Sequence, residues 1–218
     1  MRIKTFLPAG LLAAFAVACD GGAPTAPETN AAPPTPADSR AETTSGVPVF
    51  EFAGPVVPGA SSKITRNGGG ATSTLHTSGL TAGNAYTMWM FVFNVPSECT
   101  DPCGEDDVAP GTAAVVDVIY VAGNVAGGSG NATFSGRRAT GDNSNSLFAQ
   151  FGAPAPGLTD PYGAVMHLIV RDHGPAIPGQ IPSQIHTFEG ACTAASSFGL
   201  GSGPNVCVDI QFSVHTPS

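Results

Sequence analysis

Apolar positions along this chain come in short blocks separated by turn-forming clusters, and no segment carries a sustained 3.6-residue period. Residues 47–52 predict a first strand, with Pro48 marking an edge position. Residues 61–67 and 71–78 flank Gly68-Gly69-Gly70 and predict a hairpin. After a turn at 79–84, the run YTMWMFVF at 86–93 is apolar throughout and predicts a central strand buried on both faces. Further strands are predicted at 115–121, 131–135 and 164–171. From 206 to 215, Val206, Val208, Ile210, Phe212 and Val214 alternate with Cys207, Asp209, Gln211, Ser213 and His215. That period of two is the pattern of a half-buried strand.

Composition reinforces this picture. Of 218 residues, 28 are Gly and 20 are Pro, while only 11% are charged. Such a chain is poorly suited to long amphipathic helices and well suited to short strands joined by loops. The predicted fold is all-β, an antiparallel β-sandwich of about 7–9 strands, with a closed barrel as the alternative. There is no internal repeat.

The formal net charge is -8, and Lys63 is the only lysine beyond Lys4. Nucleic-acid binding needs a basic face that displaces counterions from phosphates, and Arg137-Arg138 is the only adjacent basic pair. Nucleic-acid partners are therefore excluded.

The N-terminus begins with a charged segment (Arg2, Lys4), followed by an apolar run from 6 to 18 that is too short to span a bilayer as a stable helix. It ends Ala16-Val17-Ala18-Cys19. Small residues before a Cys at this place resemble the lipobox of bacterial lipoproteins. The resemblance covers about twenty residues. It implies a signal peptide at 1–18, cleavage before Cys19, and acyl chains on Cys19 that anchor the protein to a membrane. The implied location is the bacterial cell envelope, facing the periplasm or the cell surface. Residues 19–46 hold five prolines among Ala, Thr, Glu and Asn without apolar periodicity, which reads as a disordered tether. Residues 47–218 then form a single disulfide-bonded β domain.

Four cysteines remain: Cys99, Cys103, Cys192 and Cys207. An even number in an oxidising compartment predicts two disulfides. The pairings Cys99–Cys103 and Cys192–Cys207 are favoured because each brackets a turn-rich loop. A four-thiolate zinc site is the rival, but the spacings do not resemble paired Cys-x-x-Cys knuckles.

Three chemistries have candidates. His167, His173 and His186 lie on or just beyond a predicted strand, where imidazoles are able to converge on zinc (Zn) or copper (Cu), with Asp172 or Glu189 as ligand or support and His76 and His215 further afield. Asp101, Glu105, Asp106 and Asp107 beside the Cys99–Cys103 loop offer hard oxygen ligands for calcium (Ca), although no EF-hand pattern is present. Ser, His and Asp are available for hydrolysis, but Gly201-Ser202-Gly203 lacks the strand–turn–helix context of a nucleophile elbow.

Taken together, the leading expectation is a non-catalytic, envelope-anchored domain that binds or scaffolds a protein or glycan partner outside the cytoplasm. A metalloprotein using strand-end histidines is the second expectation, and a hydrolase the third. No cofactor is required by the sequence.

Overall fold

A computed structural model describes residues 40–218 apart from Ala53 and Asp101. The signal segment and Cys19 lie outside the described residues, as does the candidate ligand Asp101.

Among the described residues, nine strands form two antiparallel sheets. The first sheet has the order β1-β3-β4-β7, from β1 (Thr43–Val47), β3 (Ser61–Asn67), β4 (Gly70–Thr77) and β7 (Ala132–Ala139). The second has the order β2-β9-β8-β5-β6, from β2 (Phe50–Glu51), β9 (Val208–His215), β8 (Val165–Pro175), β5 (Asn84–Phe93) and β6 (Val116–Val125). The two sheets pack face to face and neither closes on itself, so the molecule is a sandwich and not a barrel. Two single-turn helices, α1 (Leu147–Gln150) and α2 (Ile181–Gln184), lie in loops.

The chain is in regular structure earlier than its apolar pattern predicts. Thr43–Val47 has no hydrophobic signal, yet its backbone pairs along β3 from Thr43↔Arg66 to Val47↔Ser62. The strand expected at 47–52 is split at Pro48, which has no N–H to give a ladder. There the chain leaves the first sheet and joins the edge of the second as β2.

Two hydrophobic cores result. Between the sheets lie Ile64, Leu75, Met88, Met90, Val92, Ile119, Phe134, Met166, Leu168 and Val170. On the outer face of the five-stranded sheet lie Trp89, Phe93, Val116, Val118, Leu147, Phe148, Val165 and Phe188. β5 contributes to both, which is why its run from Met88 to Phe93 is apolar at every position.

β9 has the predicted alternation, but its buried face is the polar one. Gln211, Ser213 and His215 face the other sheet at 0–1% exposure. Each finds a partner there. Gln211 accepts from Thr77 Oγ1, Ser213 Oγ donates to Ser62 Oγ at 2.8 Å, and His215 bonds Ser45 Oγ and Ser62 Oγ at 2.8 Å each. Buried polar groups with partners are tolerated where unpaired ones are not. Beside this seam Arg66, fully buried, gives its guanidinium to the carbonyls of Pro161, Ala164 and Thr216 at 2.9 Å. Two of the apolar members of β9, Phe212 and Val214, are turned to the outer face, while Ile210 packs at the margin of the core between the sheets.

Candidate functional site

Three long loops rise over the outer face of the five-stranded sheet. The loop joining β5 to β6 carries Cys99–Cys103 and a turn at Glu105–Asp107. The loop joining β7 to β8 carries α1, and that joining β8 to β9 carries α2 and Cys192–Cys207. The four cysteines are thus paired within their own loops.

The second and third loops are fixed to the sheet by buried polar side chains. Asp117 on β6, at 0% exposure, accepts from Ser146 Oγ (2.5 Å), Gly157 N (2.7 Å) and Val118 N (2.8 Å). Burial pushes its carboxyl pKa up, against the pull of these donors. Arg171 on β8 holds the last loop. It donates from Nε to Phe188 O (3.1 Å), from one terminal nitrogen to Ser196 O and from the other to Asp209 Oδ1 (2.9 Å). Its guanidinium also lies 4.0 Å above the Phe188 ring.

The loops leave an apolar groove. One half, 510 Å³, is walled by Phe91, Val118, Phe148, Phe151, Phe188 and Phe198. The other, 320 Å³, is walled by Phe52, Phe91, His167, Ile169, Phe212 and Val214. Phe91, Glu105 and Asp209 border both halves. Phe198 is 73% exposed although its backbone sits at φ 52°, a left-handed conformation unfavourable to a bulky residue. A larger hollow of 640 Å³ beside His76, Asn124 and Asn131 has no aromatic wall.

Among the described residues, the predicted acidic ligands Glu105, Asp106 and Asp107 form no cluster of ligand atoms. Asp107 is consumed within its loop, its carboxylate accepting from Thr100 N (2.8 Å), Thr100 Oγ1 (2.9 Å) and Gly104 N (2.9 Å). These bonds hold its pKa below the usual range. Glu105 and Asp106 are exposed.

Nor do the three predicted histidines form one site. His186 is exposed, bonding Pro182 O at 2.8 Å and lying 5.8 Å from the Tyr120 ring. His167 packs on Phe93 (5.0 Å between rings), and burial pushes its pKa down to about 4. Its Nε2 is buried without a hydrogen-bond partner. His173 is fully buried and has different company. Among the described residues, the one group of three His, Cys, Asp or Glu donors within 4.8 Å of one another is His173, Cys192 and Cys207. Sequence spacing hides this group, because 19 and 34 positions separate His173 from the two cysteines. Antiparallel pairing exposes it: Asp172 faces Val208, so the next residue of β8 falls beside the residue preceding β9.

Comparison with known proteins finds no matching family model, no matching curated protein and no matching solved structure.

Proposed function

We propose that this is a non-catalytic binding domain held at the bacterial cell envelope through lipidated Cys19, and that the aromatic groove is its binding site. The observation carrying this reading is the placement of apolar side chains. The chain turns Phe212 and Val214 of β9 away from the core between the sheets and holds Phe198 in the open at a strained backbone position. Phe212 and Val214 are only half-buried and Phe198 is open to solvent, and large apolar surface left accessible in this way marks ligand or partner sites.

The groove's chemistry selects its ligand. Phenyl rings supply most of the wall, and the carboxylates of Glu105 and Asp209 stand where its halves meet. Asp209 is paired with Arg171, whereas Glu105 forms no ion pair among the described residues. His167, whose buried Nε2 has no hydrogen-bond partner, lines the smaller half. An elongated apolar molecule or peptide side chain carrying an amine fits this arrangement, through rings, cation–π contact and the free carboxylate.

Trp89 is the only tryptophan and touches Phe188 edge-on at 5.2 Å, so its emission reports groove occupancy. Titration of the full chain with alkylamines and with alkyl carboxylates of equal length tests the reading. Saturable quenching by the amines, ten-fold weaker in Phe151→Ala, is expected. Equal response to both series, or no saturation by either, removes the groove as the site.

A further inference from the structure

We infer that His173, Cys192 and Cys207 form a thiol-dependent zinc site, closed by a covalent bond when oxidised and by Zn²⁺ when reduced. Tetrahedral zinc with Zn–S of about 2.3 Å and Zn–N of about 2.0–2.1 Å requires N···S edges of about 3.5 Å. His173 Nδ1 lies 3.5 Å from Cys192 Sγ and 3.8 Å from Cys207 Sγ. A fourth donor is in place. The Gly190 carbonyl oxygen lies 3.0 Å from His173 Nδ1 and 3.7 Å from Cys192 Sγ, close to the edges of about 3.4 and 3.6 Å that an oxygen ligand near 2.1 Å gives. That carbonyl cannot drift away easily. A side chain at Gly190 would meet the Ser183 carbonyl oxygen at 2.2 Å, so the loop is packed backbone against backbone at this point.

The imidazole is also oriented as a ligand must be. Its far nitrogen, Nε2, bonds Thr87 Oγ1 at 2.8 Å, and Thr87 Oγ1 accepts from Trp89 Nε1 at 2.8 Å. Such an outer partner fixes ring orientation and raises ligand basicity. His173 and Cys192 are 0% exposed and Cys207 is 4% exposed, so the ion would sit in a dry pocket. Two thiolates and a neutral imidazole make the zinc-loaded centre electrically neutral, which avoids the cost of burying net charge. Two sulfurs and a nitrogen favour zinc over magnesium or calcium.

The steps balance with a dithiol as reductant. The dithiol gives two hydrogens to the Cys192–Cys207 bond and closes to its own cyclic disulfide, leaving two thiols. Zn²⁺ then displaces both thiol protons to solvent. The Nδ1 proton, now donated to Gly190 O, is replaced by one on Nε2 that is donated to Thr87 Oγ1, so the imidazole stays neutral.

The test uses the full chain with Cys19→Ser, Cys99→Ser and Cys103→Ser, leaving only the two relevant thiols. After reduction and removal of the dithiol without oxygen, Co²⁺ serves as probe. The expected result is one equivalent bound, with thiolate-to-cobalt charge-transfer absorption and tetrahedral d–d bands that Zn²⁺ abolishes. The oxidised protein shows neither. Thr87→Val, which keeps all ligands, weakens Co²⁺ binding ten-fold or more. A second measurement needs no substitution. In the reduced wild-type chain, Zn²⁺ slows alkylation of Cys192 and Cys207 at least ten-fold and leaves Cys99 and Cys103 unaffected. If the reduced chain unfolds, zinc restores the Trp89 emission of the native state. Equal metal uptake by the oxidised form, equal protection of all four thiols, or no uptake and no refolding overturns the site.

Discussion

Trp89 and His173 share one hydroxyl: the indole Nε1 and the imidazole Nε2 each lie 2.8 Å from Thr87 Oγ1. All three side chains are 0% exposed, on the sheet face covered only by loops. Replacing Thr87 by Val keeps the shape and leaves a buried donor and a buried acceptor unpaired. Each orphan costs about 1–3 kcal/mol. Thr87→Val is therefore expected to lower the free energy of unfolding by about 2–4 kcal/mol in urea titration, with Trp89 emission shifted in the native baseline. A change below about 0.5 kcal/mol would mean that water replaces the hydroxyl there.

His215 sets an acid limit to stability. Burial, then the charges of Arg66 and His167, push its pKa from 6.5 down to about 4. As pH falls, the unfolded chain takes up this proton first. The stabilisation is complete above about pH 6.5 and is lost progressively down to about pH 4, amounting to about 3 kcal/mol for this group. His167 titrates in the same sense. His215→Gln, which still offers a donor and an acceptor to Ser45 and Ser62, should flatten the decline of denaturation midpoint between these limits. An unchanged slope would place the acid sensitivity elsewhere.

The two disulfides differ in what they constrain. The chain-entropy relation gives about 3 kcal/mol for the Cys192–Cys207 loop, with a sequence separation of 15, and about 2 kcal/mol for Cys99–Cys103, with a separation of 4. Paired Cys→Ser variants, compared by denaturant midpoint, should follow that order. A greater loss from Cys99/Cys103 would mean that the short loop's contacts outweigh its entropy.

Phe198 separates stability from binding. Glycine adopts its φ of 52° without strain, so relief of strain offsets the lost ring contact with Phe188, 5.5 Å away. Phe198→Gly should change the unfolding free energy by no more than about 1 kcal/mol, where a core Phe typically costs 3–5 on truncation. Alkylamine binding should weaken ten-fold or more. Loss of stability on the core scale would make Phe198 a structural residue.

The sandwich was largely legible in the sequence because strand pairing follows local pattern. The hairpin around Gly68-Gly69-Gly70, the doubly buried β5 and the run that became β8 all carry their signal within ten residues or so. β1 was not legible, since TTSGV is held by backbone pairing and not by apolar contacts. In β9 the period was visible but the direction of each face was not. Alternation tells which residues share a side; only partners far away in the chain, such as Ser45 and Ser62, decide which side is buried. The loop side of the outer core escaped for the same reason, being supplied by Leu147 and Phe148 of α1 and by Phe188 of the next loop, far in the chain from much of the sheet they cover.

The polar seam of β9 carries an evolutionary consequence. A core built from Leu and Val tolerates drift, because one aliphatic side chain substitutes for another of similar volume. Gln211 with Thr77, Ser213 with Ser62, and His215 with Ser45 and Ser62 allow no such exchange, since changing one member strands the other. Descendants of this chain should alter these positions together or hold them all. Correlated change between β9 and positions 45, 62 and 77 is thus the signature by which distant relatives of this sandwich can be recognised.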